Sequence, residues 1–310
     1  MRLLFDDDLV EGVVQWCAAG KRTGVPGLQI RRFHAERERC YQVLDPDERV
    51  TAFARVHLSW FSEWGFETFL TGVAKRFPLL ADRLTALAFR QARGKNDEGA
   101  ELYCDADAQR RGIVSLRPER FGAEAPLTCF LHHELAHLAD MVDERFGYSP
   151  DLACTGQTAS QLRLTRERYR VLWAVSIDGR LLRRGLETVA DQTQRHTEFH
   201  RAFAFLPESR RAELWAALWS GRLATHGELL ELASDPRGLQ GSHAPVPGAD
   251  CPLCGFAAFQ WTDAATLKPS ARARIQAEFP GWREAEAICA RCAEMYDAIA
   301  GVEYPKTVCL

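Results

Sequence analysis

The segment His133-Glu134-Leu135-Ala136-His137 constrains the fold of this chain more than any other stretch of its sequence. Two histidines four residues apart share one face only if the backbone between them is helical. A stripe of apolar residues with helical spacing runs through the same stretch: Leu131, Leu135, Leu138 and Val142. The sequence therefore predicts a helix from about Leu127 to Glu144, with the stripe in the core and both histidines on the opposite, polar face.

Imidazoles placed in this way are suited to hold a metal ion. Zinc accepts nitrogen ligands in tetrahedral geometry, and two histidines one helical turn apart supply two of them. Glu134 directly follows the first histidine and is placed to take a proton from a water molecule at the ion. We therefore expect His133 and His137 to be ligands of a catalytic zinc and Glu134 to be the general base.

Two short strands are predicted just before this helix. The runs Gly99–Cys104 and 112–116 flank a polar turn at 105–109. Together with the His133–His137 motif, this order resembles, over roughly residues 99–200, the zincin superfamily of metallopeptidases, of the gluzincin or aspzincin kind. The resemblance implies zinc-dependent hydrolysis of peptide bonds, with an edge strand beside the substrate cleft. No narrower family is indicated.

A catalytic zinc needs a third protein ligand, for which the sequence offers several acids. Asp178 is the first choice, because a helical register places its carboxylate on an apolar face, where it needs a metal or a cation. A buried salt bridge to Arg180 or another arginine is the alternative for Asp178. Glu187 is the second choice, since Glu187 and Asp191 resemble the Glu-x-x-x-Asp element of gluzincins. An ion pair with a preceding arginine on a helix surface would also account for Glu187.

Two acids on the histidine helix itself rank behind these. Asp143 has the third-ligand spacing of metzincins, but those proteins need glycine where Asp140 stands, because their chain turns there. Asp140 is instead expected to accept a hydrogen bond from a ligand histidine.

Five further side chains allow both a functional and an ordinary interpretation. Cys129 lies one turn before the motif and could approach the metal, although a buried structural thiol is more common. His196 and His200 could bind a second metal or stabilise an oxyanion, but a solvated helix face is favoured. Tyr148 and Tyr169 are further candidates for oxyanion stabilisation.

Four of the ten cysteines form two Cys-x-x-Cys pairs, Cys251/Cys254 and Cys289/Cys292. Paired spacing of this kind indicates metal binding, and four thiolates close a tetrahedral zinc with no open position. A second, structural zinc is therefore expected. The segment that holds them, the cysteine module (251–310), resembles a treble clef or zinc ribbon, with a strand over 256–261 and a helix over 271–279. We expect the cysteine module either to cap the fold or to dock a protein partner.

The net charge and the hydropathy of the sequence argue against nucleic acid and membranes as partners. The net charge of −3 gives no electrostatic reason to expect nucleic acid. Three aspartates interrupt the apolar start of the chain, and no apolar run has the roughly 18 residues that span a bilayer. We therefore expect a cytoplasmic protein without a membrane partner, whose scattered thiols stay reduced.

The sequence as a whole predicts a mainly α (α+β) chain with four parts. These are an N-terminal helical region (1–98), a zincin-like core with a small antiparallel sheet beside the histidine helix (99–234), a linker rich in Pro and Gly (235–250) and the cysteine module (251–310). One helical stretch is expected from about 160 to 203. The predicted function is a zinc-dependent metallohydrolase, a peptidase acting on peptides or proteins. The alternative is a non-catalytic adaptor on a zincin scaffold whose cysteine module docks a partner.

Overall fold

The structure is a computed structural model that describes residues 1–22, 24–105, 109–150, 152, 159–223, 225–236, 245, 247–284 and 286–299. These residues form twelve α-helices and eight short β-strands, so the predicted fold class, mainly α with small sheets, is confirmed. None of the helices in these ranges is long and apolar enough to cross a membrane.

The chain divides into two compact units. The first unit comprises Met1–Ser149, Ala174–His200 and Glu213–His226, and the second comprises Pro150–Trp173, Arg201–Ala212 and Gly227–Leu310. The boundaries predicted at residues 98, 234 and 250 stay predictions. Most of the predicted linker 235–250, the centre of the polar turn 105–109 and the end of the cysteine module lie outside the described residues.

The N-terminal half of the chain alternates helices with the strands of one sheet. In chain order its elements are β1 (Arg2–Phe5), α1 (Asp7–Trp16), α2 (Gly27–Cys40), α3 (Pro46–Glu63), α4 (Phe66–Ala74), α5 (Pro78–Arg83), β2 (Ala86–Gln91), β3 (Gly99–Cys104), β4 (Arg110–Leu116) and α6 (Glu124–Val142). Asp45 caps α3 by accepting hydrogen bonds from the backbone N–H groups of Asp47 and Glu48, as its sequence indicates.

The sheet has the order β1-β2-β4-β3. The antiparallel pair of β3 and β4 is the predicted one, and β3 is an edge strand. Two parallel strands, β1 and β2, extend the sheet on the other side. They correct the expectation that the chain is wholly helical up to residue 98. Neither alternates polar with apolar residues. In β2 the neighbours Ala86 and Leu87 are both buried, and a parallel strand covered on both faces does not need to alternate.

Helix α6 lies against β4, and a glycine makes the close approach possible. The predicted stripe of Leu131, Leu135, Leu138 and Val142 is fully or almost fully buried. A Cβ atom added to Gly112 on β4 would collide with Leu138. This packing turns the stripe towards the sheet and leaves the histidine face of α6 for other partners.

The remaining helices of this region are α7 (Ala159–Arg183), α8 (Gln192–Ala202), α9 (Glu208–Trp219) and α10 (His226–Ser234). The single helical stretch predicted over 160–203 is therefore wrong, because α7 and α8 are separate helices. Gly185, with φ +68°, ends the first of them. The Leu186 N–H bonds to the Leu181 carbonyl and the Gly185 N–H to the Leu182 carbonyl, which together form a Schellman-type end.

The cysteine module and the residues just before it contain β5 (Ala249–Asp250), β6 (Ala257–Ala258), β7 (Trp261–Thr262), α11 (Pro269–Glu278), β8 (Ile288–Cys289) and α12 (Ala290–Ile299). Strand β5 pairs with β6 and β7 with β8, both antiparallel. The helix predicted over 271–279 is present as α11, whereas the single strand predicted over 256–261 is replaced by two separate two-residue strands, β6 and β7. Three of the cysteines belong to its hydrophobic core, with Ile275, Trp282 and Ile288.

Candidate metal centres

The two histidines of α6 point their Nε2 atoms at the same place. Nε2 of His133 lies 3.2 Å from Nε2 of His137, and the two rings are nearly perpendicular at 78°. Two nitrogens bound to one tetrahedral zinc at the usual distance would be separated by about 3.3 Å. The separation is thus compatible with both nitrogens binding one ion, and also with a hydrogen bond between the two rings.

A buried carboxylate holds the other nitrogen of His133. Nδ1 of His133 is 2.9 Å from Oδ1 of Asp178, whose side chain is fully buried in α7. A carboxylate at Nδ1 accepts a hydrogen bond from the ring N–H, and in the neutral form of the ring this leaves the lone pair on Nε2. The observed contact thus makes Asp178 an orienting partner of His133. The role of Asp178 as third zinc ligand stays a prediction, and this contact does not support it.

The second oxygen of Asp178 pairs with a residue that the sequence did not single out. Arg195, in α8, places Nε at 2.8 Å and a terminal guanidinium nitrogen at 2.7 Å from Oδ2 of Asp178. The alternative of a buried salt bridge is thus present as well, with a different arginine from Arg180. One signal could have indicated it, because Arg195 lies one turn from the fully buried Phe199 and so on the inner face of α8.

Asp140 forms a second ion-pair contact between α6 and α7. Its two oxygens lie 2.7 and 2.5 Å from the terminal nitrogens of Arg180, which is a bidentate ion pair. The predicted hydrogen bond between Asp140 and a ligand histidine stays a prediction, and Asp178 is an acid whose contact with His133 is observed. The two carboxylates lie on different helices, so each helix contributes one acid and one base to the pairing.

Glu134 lies between the histidine pair and the edge of the sheet. Its Oε2 accepts a hydrogen bond of 2.8 Å from the backbone N–H of Ala100 in β3, while Oε1 has no hydrogen-bond partner among the described residues. Burial raises the pKa of Glu134, and the nearby charge of His133 and the Ala100 hydrogen bond oppose this effect. One carboxylate oxygen is thus fixed and the other remains available.

The other predicted ligands lie elsewhere. The backbone carbonyl of Glu187 is 3.2 Å from Nδ1 of His132, the neighbour of the ligand pair, and the Glu187 carboxylate is 3.6 Å from the same atom. Asp143 accepts a hydrogen bond from the Arg145 N–H in the turn that follows α6. Within the described ranges, no third carboxylate, thiolate or imidazole completes a cluster with the histidine pair.

The five side chains with two interpretations have ordinary surroundings. Burial raises the pKa of the Cys129 thiol. The rings of His196 and His200 have centroids 4.0 Å apart and are tilted by 38°. Tyr148 packs against His226, and Tyr169 is buried against Trp173. These contacts do not assign a chemical role to any of them.

The cysteine module brings its four predicted ligands together. The Sγ atoms of Cys251, Cys254, Cys289 and Cys292, the four-cysteine cluster, all lie within 4.8 Å of one another. Two of the separations are 4.0 Å (Cys251 to Cys292) and 3.9 Å (Cys254 to Cys289). Thiolates on a tetrahedral zinc are about 3.8 Å apart, so the cluster is able to bind one zinc ion.

Backbone N–H groups favour the thiolate of Cys251 in this cluster, whereas burial raises the pKa of Cys289 and of Cys292. The N–H groups of Cys289 and Cys292 lie 3.4 Å from the Sγ atoms of Cys251 and Cys289. Burial alone would raise the pKa of Cys251, but such hydrogen bonds outweigh it and lower the pKa to about 7. Three of the four cysteines are buried and Cys254 is exposed.

Comparison of the chain with protein-family models, curated proteins and solved structures found no match. The resemblance to zincins therefore rests on the sequence motifs alone. The structure itself contains a four-cysteine cluster suited to zinc. It also contains a histidine pair in which a buried acid, Asp178, orients the ring of His133.

Proposed function

We propose that the first unit is a zinc-dependent hydrolase that cleaves peptide bonds. The observation that carries this proposal is the convergence of two Nε2 atoms, 3.2 Å apart, next to a glutamate. A structural site would need no such acid, and a helix chosen only for packing would need no carboxylate at Nδ1 of His133.

Each residue has a separate task in this proposal. His133 and His137 hold the ion, and Asp178 fixes the ring of His133 while Arg195 balances its charge. Zinc would polarise the scissile carbonyl and acidify a water molecule. Glu134 takes the proton from the attacking water with Oε1 and passes it to the leaving amine, while its Oε2 stays bonded to Ala100.

An edge strand beside the acid supports a peptide as the substrate. The Ala100 N–H points away from β4, since it bonds to Glu134, and strand alternation turns the polar groups of Leu102 the same way. Extended peptides bind by adding a strand to such an edge. A peptide paired with β3 would run past the Glu134 side of α6.

The second candidate function is a non-catalytic adaptor that uses only the zinc of the four-cysteine cluster. It is favoured by one observation, that no third ligand joins the histidine pair among the described residues. In that case the histidine pair is a packing feature and Glu134 only anchors β3. A protein partner would then be recruited through the cysteine module.

Zinc stoichiometry separates the two candidates. The proposal expects two zinc ions per chain in the wild type and one in His133→Ala or in Cys251→Ser. His34→Ala removes an exposed histidine of α2 and should keep both ions. A single ion in the wild type that His133→Ala retains would eliminate the hydrolase.

Turnover tests the chemistry itself. The zinc-loaded wild type should cleave members of a mixed peptide library, and Glu134→Gln should lose this activity by a factor of about 10²–10⁴, as expected for removal of a general base. Glu124→Gln changes an acid in the first turn of the same helix and should keep the activity. Equal cleavage by Glu134→Gln and the wild type would exclude Glu134 as the base.

A further inference from the structure

Glu98 has a buried side chain and lies directly before the edge strand β3. The side chain is only 3% exposed, and the guanidinium of Arg120 donates one hydrogen bond of 2.9 Å to each of its two carboxylate oxygens. The backbone N–H of Arg117, just after β4, donates a third hydrogen bond of 3.1 Å to the same carboxylate. A carboxylate held by the two parallel bonds of an arginine has a defined geometry, unlike a single exposed ion pair. Glu98 therefore fixes the start of β3.

Gly99 and Ala100 connect this fixed point to Glu134. Gly99 has a φ of +150°, which residues with a side chain rarely adopt, and a Cβ atom at this position would lie 3.6 Å from Oε2 of Glu134. The Ala100 N–H donates its 2.8 Å hydrogen bond to the same oxygen. The contact with Glu134 is thus only two residues from Glu98, so a shift of Glu98 would shift the Ala100 N–H as well.

Arg120 also contacts the helix that carries Glu134. The guanidinium of Arg120 lies over the ring of Phe130, with 4.1 Å between its central carbon and the ring centroid. Phe130 is buried in α6, and Glu134 follows it by one helical turn. The contacts therefore form a closed ring. It leaves α6 at Phe130, passes through Arg120 to β3, and returns to α6 at Glu134.

We propose that Arg120 is a positioning residue of the hydrolase, which holds Glu134 in place for proton transfer by fixing the start of β3 through Glu98. This inference rests on the proposed role of Glu134 as general base. Arg120 itself does not contact the reacting atoms in this proposal, and its effect passes through the Ala100 N–H. The fork of its guanidinium reaches both oxygens of Glu98 at once, which the single ammonium group of a lysine does not do with the same geometry. Arg120→Lys therefore keeps the charge and removes the geometry.

Amide hydrogen exchange in the zinc-loaded full chain tests these contacts without any substrate. In Arg120→Lys the Ala100 amide should exchange on the order of tenfold faster than in the wild type, as expected when a hydrogen bond to a charged group is weakened. The amides of α3 should exchange as before. Arg90→Leu is the matched control, because Arg90 pairs with Glu101 of the same strand at 2.8 Å and its loss should leave the Ala100 amide unchanged. An Ala100 amide that is unaffected by Arg120→Lys, or that is affected equally by Arg90→Leu, would overturn the proposal.

Turnover in two backgrounds separates positioning from general stability. Arg120→Lys should lower kcat by about tenfold or more at an unchanged KM, because misplacement of the general base affects the chemical step rather than binding. In the Glu134→Gln background the same change should lower the residual kcat by less than about twofold, since the carboxylate that Arg120 positions is already absent. An equal loss in both backgrounds would mean that Arg120 acts only on stability, and the proposal would fail.

Failure of this inference and failure of the hydrolase give different results. Absence of turnover in the zinc-loaded wild type would reject the hydrolase and, with it, any role of Arg120 in catalysis. Turnover by the wild type that Arg120→Lys and Arg90→Leu leave equally unchanged would keep the hydrolase and reject only the role of Arg120.

Discussion

Nδ1 of His133 and Oδ1 of Asp178 lie 2.9 Å apart, although 45 residues separate them in the chain. This contact links α6 to α7 and determines which nitrogen of His133 is free. Because Arg195 pairs with the other oxygen, the negative charge of Asp178 is balanced while its side chain stays fully buried. The hydrogen bond thus serves two purposes, stability of the helix pair and orientation of a ligand.

Replacing Asp178 by Asn should therefore affect both properties. The amide removes the charge and leaves Arg195 without its buried partner, so the free energy of unfolding should fall by about 3–5 kcal/mol. Zinc affinity at the histidine pair should fall by about 10–100-fold, because the basicity and orientation of His133 change. Denaturant titration measures the first effect and competition with a zinc chelator measures the second.

Glu198→Gln provides the control for this substitution. Glu198 also pairs with Arg195, at 2.6 Å, but is about half exposed and touches neither histidine. We expect this variant to keep its zinc affinity and to lose at most about 1 kcal/mol of stability. Unchanged zinc affinity in Asp178→Asn would show that the carboxylate has no role at the metal.

The packing of α6 on the sheet leads to a prediction about Gly112. An added methyl group meets the side chain of Leu138 of α6 and also those of Leu84 and Leu87, and all three are buried. Gly112→Ala should lower the free energy of unfolding by about 1–3 kcal/mol, the usual effect of overpacking. Thermal or urea unfolding measures it.

Gly72→Ala is the matched change in a helix. A Cβ atom at Gly72 in α4 has no neighbour within 4 Å. Alanine there should stabilise the protein by about 0.5–1 kcal/mol, since glycine in a helix interior is unfavourable. Similar effects of the two substitutions would mean that α6 does not lie this close to β4.

Local patterns allowed the prediction of several of these features, because they depend on residues close in the chain. The helix around His133 and the four-cysteine cluster both follow from spacings of a few residues or from paired motifs. The end of α7 at Gly185 was also visible in principle, since a glycine after Arg183 and Arg184 is a common helix stop. The long predicted helix ignored this signal.

Other features depend on partners that the sequence does not reveal. Strand β2 is a strand because it lies between β1 and β4, and its own residues, Ala86–Gln91, have no β-branched side chain. The acid at position 178 was recognised as a misfit on an apolar face, but its partners come from two other helices. A metal ligand and an orienting acid produce the same sequence pattern, and only the contact with Nδ1 distinguishes them.

Glu98 should make the stability of the first unit depend on pH. Burial of this carboxyl opposes its ionisation, but hydrogen bonds and charges from Arg120 and Arg117 outweigh burial and hold the pKa of Glu98 below its usual value. A carboxyl with a lowered pKa stabilises the fold above its unfolded pKa, and this contribution is lost as the pH falls through the folded pKa. Glu98→Gln should thus be less stable than the wild type at pH 7.

The difference between Glu98→Gln and the wild type should shrink as the pH falls through the lowered pKa of Glu98, where the wild-type carboxyl becomes protonated as well. Unfolding temperatures measured from about pH 7 to about pH 3 follow this change. Glu144→Gln removes an exposed partner of Arg83 and should show little effect at any of these pH values. A constant difference between Glu98→Gln and the wild type would contradict the charged pair with Arg120.

Removal of zinc should unfold the cysteine module and leave the first unit intact. Three of its cysteines belong to its buried core, four of whose ten other members are alanines, and its strands are only two residues long, so we expect the module to depend on the metal. A chelator should therefore raise amide hydrogen exchange in α11 and α12 towards that of an unfolded chain, while α3 stays protected. Cys251→Ser should show the same exchange without chelator, and Cys104→Ser, which changes an exposed thiol of the first unit, should not. If α11 and α12 remain protected after chelation, the core itself holds the module together, and the four-cysteine cluster is not its structural basis.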